Sequence, residues 1–554
     1  MRHTPPPLFL PERCLFLSAR CVEKPVGCTA SDRVSPVSHV SVKQRTLQSL
    51  MSLWNATLAR ISSTLLSRDW TLARRMLGSG ARCARLRSLT RRPPRFPLFR
   101  SRFFGSLHRV HSVEHKKLYG PIWRSRFGPF DVVNVASPEL ISQVIRQEGR
   151  YPVRTELPHW KEYRDMRGQA YGLHVDTGPQ WHRIRSVLNP KMLKLAEVSA
   201  YAPVIHQVVG DLLQRIESLR LRSQDHTTVP DLTAELYKFG FEGISSILFE
   251  TRLGCLQEEI PKDTLKFIAA ANNMLTLSET VLFLPLWTRN VLPFWKRFVQ
   301  AWDDLVALAQ MDAQVLAGKQ VEGMYLTYLL SCDKLTLEEV YISITELLLG
   351  GVDTTSNTLS WALYQLARDA ASQDRLYREI MSVCPGRQQP RSEDLSRMPY
   401  LKAVIKETLR MYPVVPGNER KISTSLFYLC QYLRNLYFFP QRMRCPFHEI
   451  LSTQFHLCHY AASHDEGEFV DAECFRPERW LRGDPESYQH HPYSSIPFGV
   501  GVRACVGKRV AELEMYFALS RVSKRKDGAP TTEPKTRTLL IPSKPINLRF
   551  LPRA

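Results

Sequence analysis

IPFGVGVRACVGKRVA, running from Ile496 to Ala511, is the stretch around which the rest of the chain is organised. Phe498, Gly499, Gly501, Arg503, Cys505 and Gly507 form the string F-G-x-G-x-R-x-C-x-G. The glycines permit backbone geometry that a Cβ forbids. The loop delivers one cysteine, Cys505, to the start of a helix predicted over GKRVAELEMYFAL. The first N–H groups and the dipole of that helix aim back at the sulfur, and both favour a thiolate. A lone thiolate presented in this way suits an axial position on haem iron. Zinc wants three or four ligands at close spacing, and none stands nearby. The competing reading is a buried free cysteine ahead of a helix.

Working outward, composition sets the bounds. A chain of 554 residues is long enough for one large domain or several smaller ones, and its 44% apolar content suits a sizeable core. The formal net charge is +22, unevenly spread. From Met51 to Val113 there are 13 Arg and a single acid, Asp69. The 12 cysteines lack C-x-x-C spacing and read as free thiols of a reducing compartment. No run of about 18 apolar residues occurs, so no membrane-spanning helix is expected.

Residues 1–110 look unlike a packed domain. MSLWNATLARISSTLLSRDWTLARRML, from Met51, interleaves Leu, Trp and Ile with Arg and Ser. That composition fits an organelle-targeting segment of the mitochondrial kind. Nucleic-acid binding is the poorer reading of the arginines, since no recognition fold accompanies them. Met51 is a candidate translation start, which would leave residues 1–50 upstream of it.

From Leu118 the chain turns globular. Strand-like runs and a Gly-Pro turn lead to Ser137-Pro138-Glu139, which opens a helix. VPDLTAELYKFGFEGISSILF, from Val229, has helical apolar spacing. LFLPLWTRNVLPFWKRF, from Leu282, sets Trp287, Phe294 and Trp295 between proline breaks; it reads either as core or as a dip into a membrane interface. The longest predicted helix runs from about Thr336 to Arg368, opened by the T-x-x-E capping box of Thr336 and Glu339. GGVDTT, Gly350 to Thr355, lies in its middle. Two glycines and an acid are poor helix-interior choices, so a kink or bulge is expected there.

Five short patterns now stand in order: QWHRIR with Trp181 and Arg185, GGVDTT, KETLR with Glu407 and Arg410, FRPERW with Arg479, and the cysteine loop. E-x-x-R alone would mean little. All five in this order resemble the cytochrome P450 family, and the likeness spans most of the globular chain. The resemblance implies a mainly α fold with a small β region, one large haem domain over residues 111–554, and a presequence over 1–110. It implies haem b, with Cys505 as the iron's axial ligand. Trp181, Arg185, Arg503, Phe498 and Arg420 would hold the cofactor, the arginines through its propionates. Asp353 and Thr354 would serve oxygen activation, Asp353 relaying protons and Thr354 holding an oxygen or a water. Glu407, Arg410 and Arg479 would be a structural set behind the cysteine loop; read without the resemblance, E-x-x-R is a surface ion pair worth about 0.2–0.5 kcal/mol.

No flavin or nicotinamide signature follows the haem loop, so electrons must come from outside. A mitochondrial member would take them from a small acidic [2Fe–2S] ferredoxin and its reductase. Lys402, Lys406, Lys508 and Arg509 are the candidate docking cations, with a solvated helix face as the plain alternative. YKFGFEGISSILFETRLGCLQEEIP, TELLLGGVDTTSNTLSWALYQLAR, LKAVIKETLRMYPVVPGN and PKTRTLLIPSKPINLRFLP are similar to the mitochondrial sterol and vitamin D hydroxylases. That branch implies O2 and a secosteroid or sterol as substrates, with hydroxylation of 25-hydroxyvitamin D3 at its 1-alpha carbon to calcitriol. Sterol 27-hydroxylation and vitamin D 25- or 24-hydroxylation are the neighbouring alternatives. It also implies a peripheral place on the matrix side of the inner mitochondrial membrane and no nucleic-acid partner.

Three departures from the family pattern stand out. Residues 421–451 are long, Gly-free and crowded with Tyr and Phe where a short hairpin with turn residues is expected. After Leu519 the apolar helix should continue but becomes SRVSKRKDGAP. Ahead of Lys116 the family's first helix is missing. All three read as exon-boundary errors in a translated gene. If instead the sequence stands as written, a non-catalytic haem-binding homologue with a damaged pocket is the rival class.

Overall fold

The structure, a computed structural model, describes residues 109–551 apart from 128–129, 155–156, 318–324, 423–452, 486, 488, 523–524, 528–533 and 537–538. The predicted targeting segment and nearly all of the 421–451 stretch therefore lie outside the described residues.

Twelve principal helices carry the fold: α1 Arg109–Tyr119, α2 Pro138–Arg146, α3 Pro158–Arg167, α4 Gly178–Leu193, α5 Ala202–Arg222, α6 Leu232–Leu248, α7 Lys262–Phe283, α8 Phe294–Ala317, α9 Leu337–Arg368, α10 Ala370–Val383, α11 Pro399–Met411 and α12 Lys508–Val522. The strands are β1 Ile122–Phe127, β2 Phe130–Val135, β3 Thr228–Val229, β4 Asn418–Ile422, β5 Thr453–Leu457, β6 Arg525–Asp527, β7 Pro534–Thr536, β8 Leu540–Pro542 and β9 Leu548–Leu551. They form a four-stranded sheet in the order β1-β2-β5-β4, a three-stranded sheet β3-β9-β6, and the pair β7-β8. β2 and β5 run parallel, with Val132 opposite Gln454. The mainly helical architecture with a small β region is the expected one.

Helix α9 is the axis. At 32 residues it is roughly 48 Å long. Its side chains are buried without a break from Glu339 to Leu349 and from Thr355 to Ala367. A helix apolar all round is a core helix, and this one is enclosed by its neighbours. The capping box forms as predicted: the Glu339 N–H donates to Thr336 Oγ1 at 3.2 Å, and the Thr336 N–H donates to Glu339 Oε2 at 2.9 Å.

The bulge expected as one possibility at GGVDTT is absent; α9 runs through it as one α-helix. Side chains of that turn bond to carbonyls of the turn before. Thr354 Oγ1 donates to Gly350 O at 2.6 Å, Asn357 Nδ2 to Asp353 O at 2.8 Å and Thr358 Oγ1 to Thr354 O at 2.8 Å. The small residues serve contact with α6. A Cβ on Gly351 would meet Ile244 Cγ1 at 2.8 Å, and one on Gly240 would meet the Val352 carbonyl oxygen at 3.0 Å. Ser356 Oγ spans the crossing, donating to Leu236 O at 2.8 Å or Val352 O at 2.6 Å.

The departures resolve in part. Lys421 and Ile422 belong to β4, which pairs with β5 in full register on the far side of the unusual stretch. Helix α12 does not stop at Leu519; Ser520, Arg521 and Val522 continue it, and Arg525–Asp527 then pair with β9. Ahead of the first strand, where no helix was expected, α1 is formed, and Lys116 pins it by an ion pair to Asp465. LFLPLWTRNVLPFWKRF divides between its two readings. Phe294 is buried, while Leu286, Trp287, Val291 and Leu292 are exposed at 69%, 67%, 71% and 44%. No helix among the described residues is long and apolar enough to cross a membrane.

Candidate active site

The cysteine loop closes on itself through the backbone. The Cys505 N–H donates to Phe498 O at 2.8 Å, Gly499 to Ile496 O at 2.8 Å and Ala504 to Gly501 O at 3.1 Å. Gly499 and Gly501 take φ of 66° and 75°, where a side chain would be strained. Cys505 opens onto a cavity also lined by Phe498, Trp181, Arg185, Arg503 and Thr354. Burial pushes its thiol pKa up, against the Gly507 N–H and the Arg185, Arg154 and Lys508 charges, which pull it down. The Gly507 N–H at the start of the helix favours the thiolate, as expected, while desolvation by burial opposes it. A metal ion at the sulfur reverses that balance, because a coordinating thiol is deprotonated outright.

Three arginines converge on the same cavity. Arg503 stacks over Trp181, its guanidinium 3.6 Å from the ring centroid. It donates to Pro152 O at 2.8 Å, Leu173 O at 3.4 Å and Asp176 O at 3.1 Å. Arg185, four residues beyond Trp181 on α4, donates to Ala504 O at 2.6 Å and Asn189 Oδ1 at 2.6 Å. Arg154, which sequence reasoning missed, donates to Arg503 O at 2.6 Å and also lines the cavity. Desolvation, then mutual repulsion among these and Arg420, lowers Arg154 to about 10 and Arg503 to about 9. All stay cationic at neutral pH, and among the described residues none is ion-paired to a carboxylate. Arg420, on β4, is placed differently: it is ion-paired to Glu148, just beyond α2, and does not line the cavity.

A cavity with one thiol on its wall and three cations bonded only to neutral oxygens asks for a dianionic, metal-bearing group. Haem fits that description, with iron for the sulfur and two propionates for the arginines. The loop positions Cys505 and Phe498, α4 positions Trp181 and Arg185, and the segment ahead of α3 supplies Arg154.

On the opposite wall stands α9. Thr354 lines the cavity. Asp353 points to α6 instead, where Tyr237 hydrogen-bonds to it and Asn357 Nδ2 donates to Tyr237 Oη at 2.9 Å. Burial raises Asp353 to about 6, and Oδ2 has no protein partner among the described residues. Two further acids went unnoticed in the sequence. Glu346, fully buried, is held below the ordinary range: burial pushes it up, but His174 and Arg164 outweigh that. Glu514 on α12 is pushed up to about 8 by burial, against a smaller downward pull from the neighbouring Thr355. Glu346 lies seven residues before Asp353 in an apolar run, and an acid so placed was the available signal.

Behind the loop, Glu407, Arg410 and Arg479 are at most 2% exposed. Arg410 meets Glu407 in a two-pronged pair at 2.9 and 2.8 Å, and Arg479 Nε adds a third bond at 3.0 Å. Glu407 also accepts from the Arg476 N–H at 3.0 Å and Trp480 Nε1 at 2.9 Å. Arg410 reaches on to Ser463 O and Cys474 O at 2.9 and 3.2 Å. A solvent-exposed i,i+3 pair is excluded. The four candidate docking cations share one surface region: Lys508 and Arg509 flank Glu512, and Lys508, Lys402 and Arg482 all act electrostatically on Lys406, alongside Glu512.

The fold and this site define a haem-thiolate protein. The cytochrome P450 profile matches residues 91–550, and the chain belongs to the cytochrome P450 family, monooxygenases that carry haem b on a cysteine thiolate. It is 41% identical over 502 residues to "Sterol 26-hydroxylase, mitochondrial" of Rattus norvegicus, covering 86% of this chain and 91% of that one. It is 39% identical over 485 residues to "25-hydroxyvitamin D-1 alpha hydroxylase, mitochondrial" of Homo sapiens, covering 83% and 92%. A crystal structure of a cytochrome P450 (CYP102L1) superposes with a TM-score of 0.65 at 22% identity, covering 80% of this chain and 97% of that one, which supports the fold.

Proposed function

We propose that this chain hydroxylates 25-hydroxyvitamin D3 at its 1-alpha carbon, in the mitochondrion, with electrons from a [2Fe–2S] ferredoxin. What carries the reading is the meeting, in one cavity, of Cys505, three arginines and the Thr354 hydroxyl, with apolar walls such as Leu347, Ile244 and Val414. The net reaction consumes O2, two electrons and two protons, and yields one alcohol and one water. Haem b ligated by a thiolate supplies O2 binding and O–O cleavage.

The chain's own residues do the rest. Cys505 supplies the sulfur, and Arg154, Arg185 and Arg503 neutralise the propionates that burial would otherwise penalise. Trp181 and Phe498 wall the site. Thr354 presents a hydroxyl whose proton rests on Gly350 O, so its lone pairs remain for a water or an oxygen. Asp353, at about 6, holds a proton in a fraction of molecules at neutral pH and can pass it along. Glu407, Arg410 and Arg479 keep the wall behind the loop rigid.

The patch of Lys402, Lys406, Lys508 and Arg509 gives an acidic ferredoxin a landing site near the cysteine helix. The exposed Leu286, Trp287, Val291 and Leu292 fit a peripheral seat on the inner mitochondrial membrane. Hydroxylation of a sterol side chain is a second reading, favoured by the 41% identity to the sterol 26-hydroxylase. The test is turnover with a ferredoxin, its reductase and either 25-hydroxyvitamin D3 or cholesterol, the product carbon identified by mass spectrometry and NMR. A 1-alpha product supports the first reading and a side-chain alcohol the second. A thiolate-type carbon monoxide band without any product would sink both and leave a non-catalytic haem binder.

A further inference from the structure

The loop between α3 and α4 crosses the cavity and is tied down from two sides. Glu338 of α9 accepts from the Ala170 N–H at 2.7 Å, and Glu346, two turns on, accepts from the His174 N–H at 3.0 Å. From the cysteine side, Arg503 holds the Leu173 and Asp176 carbonyls. Gly172 leaves the room that Glu346 occupies, since a Cβ there would overlap the Glu346 carboxyl group. The strapped segment presents one polar side chain to the cavity, His174.

His174 Nδ1 lies 3.2 Å from Glu346 Oε2. Glu346 is fully buried, and Arg164, also fully buried, stands on its other oxygen at 3.7 Å. A carboxylate so held accepts a hydrogen bond from Nδ1–H and fixes the ring, which leaves Nε2 as the functional end. Among the described residues no hydrogen bond engages Nε2, and the His174 side chain is 36% exposed. Most other polar groups of the cavity are engaged or lie elsewhere; Thr355 Oγ1 and Glu514 Oε1, without a hydrogen-bond partner among the described residues, stand where α9 packs on α12, away from the strapped segment. Thr354 and Thr358 donate to carbonyls of their own helix. Asn418 stands beside Gly499 of the cysteine loop, and the arginines belong to that side as well. The neighbouring walls, Leu173, Leu347 and Ile244, offer nothing to a hydroxyl.

We propose that His174, oriented by Glu346, is a specificity-determining residue that hydrogen-bonds a hydroxyl of the substrate through Nε2. This rests on the sterol or secosteroid reading above. A site built to pair a hydroxyl rejects the analogue that lacks it, because the buried polar group is then left alone. Deeper pairing of the ring with Glu346 has no such effect on ligand choice.

The test measures ligand-induced shifts of the haem spectrum in purified holoenzyme with 25-hydroxyvitamin D3, vitamin D3 and the 3-deoxy analogue of 25-hydroxyvitamin D3. Wild type is expected to bind 25-hydroxyvitamin D3 about tenfold more tightly than one of the two analogues. His174→Leu is expected to lose that preference, weakening 25-hydroxyvitamin D3 about tenfold and leaving the disfavoured analogue unchanged. His174→Gln keeps an amide at the site and is expected to retain part of the preference; it also serves if the leucine variant does not take up haem. Equal weakening of all three ligands, or no change in any, overturns the role of His174 while the substrate reading stands. Failure of every sterol and secosteroid to shift the wild-type spectrum takes down the substrate reading, and the anchor with it.

Discussion

Asp353 carries a carboxyl group into the middle of a buried helix and leaves one of its oxygens without a protein partner. Burial raises its pKa from an ordinary 3.8 to about 6. Its charged form is therefore the unfavourable one in the folded state. Any advantage of burying it neutral is complete below the unfolded value and is lost as pH rises through about 6. An Asp353→Asn variant should be more stable than wild type by on the order of 3 kcal/mol at pH 8 and by about half of that at pH 5, with a correspondingly smaller rise in melting temperature at the lower pH. Its turnover should fall in the same protein, since the amide relays no proton; thermal melts at the two pH values and a turnover assay check both halves. Glu407 shows the opposite logic. It receives five hydrogen bonds in a fully buried place. Glu407→Ala leaves Arg410 and Arg479 as unpaired buried charges and should cost about 3–5 kcal/mol, read as a lower urea midpoint and lost haem retention. The residues named from short patterns were legible because their spacing brought their identity with it. Arg154, His174 and Glu514 were not, since each matters only through partners far off in the chain.

At the scale of elements, the α6–α9 crossing sets the shape of the cavity roof. Gly240 and Gly351 let the two helices approach, and the Val352 carbonyl leaves a Cβ at 240 no room to move aside. Gly240→Ala should separate the helices and cost about 1–3 kcal/mol, and a broadened substrate-binding spectrum alongside a lower melting point would report it. The caps, the long helix and the entry of β1 and β2 could be read from the sequence, because each depends on neighbours in the chain. The unbroken passage of α9 through GGVDTT could not. Local propensity argues for a kink or bulge there, and the close packing of α6 at Gly240 and Gly351, which a local reading does not see, accounts for the continuous helix. The residues after Leu519 misled for a related reason, since strand pairing with β9 takes up a segment whose composition looks like a loop.

Two features belong to the whole molecule. The cations at 402, 406, 508 and 509 come from two helices far apart in sequence, so their shared surface exists only once the chain is folded. Reversing the charge at Lys402 and Lys406 should raise the ferredoxin KM about tenfold at low salt and lose most of that effect at high salt, because steering of this kind is screened. Activity supported by a chemical oxidant donor should be unchanged. Leu286, Trp287, Val291 and Leu292 gather on one short stretch between α7 and α8. Replacing all four with Ser should abolish flotation with inner-membrane-like vesicles without altering the melting point. The stretch after β4 also fits a molecular view. Lengthening a hairpin connection from a few residues to the thirty between Ile422 and Thr453 costs only about 2 kcal/mol of closure entropy, and β4 and β5 keep their register across it.

The parallel pairing of β2 with β5 has a consequence for how the chain is made. β1 and β2 form an early hairpin, yet the strand that covers the outer edge of β2 is synthesised roughly 320 residues later. At ordinary elongation rates that interval is on the order of 15 s to a minute. Throughout it, Val132 to Val135 present an unpaired, apolar edge, the kind of template on which nascent chains aggregate. The completed sheet is thus among the last things to close, and a newborn chain of this protein has reason to be held by a chaperone until β5 emerges.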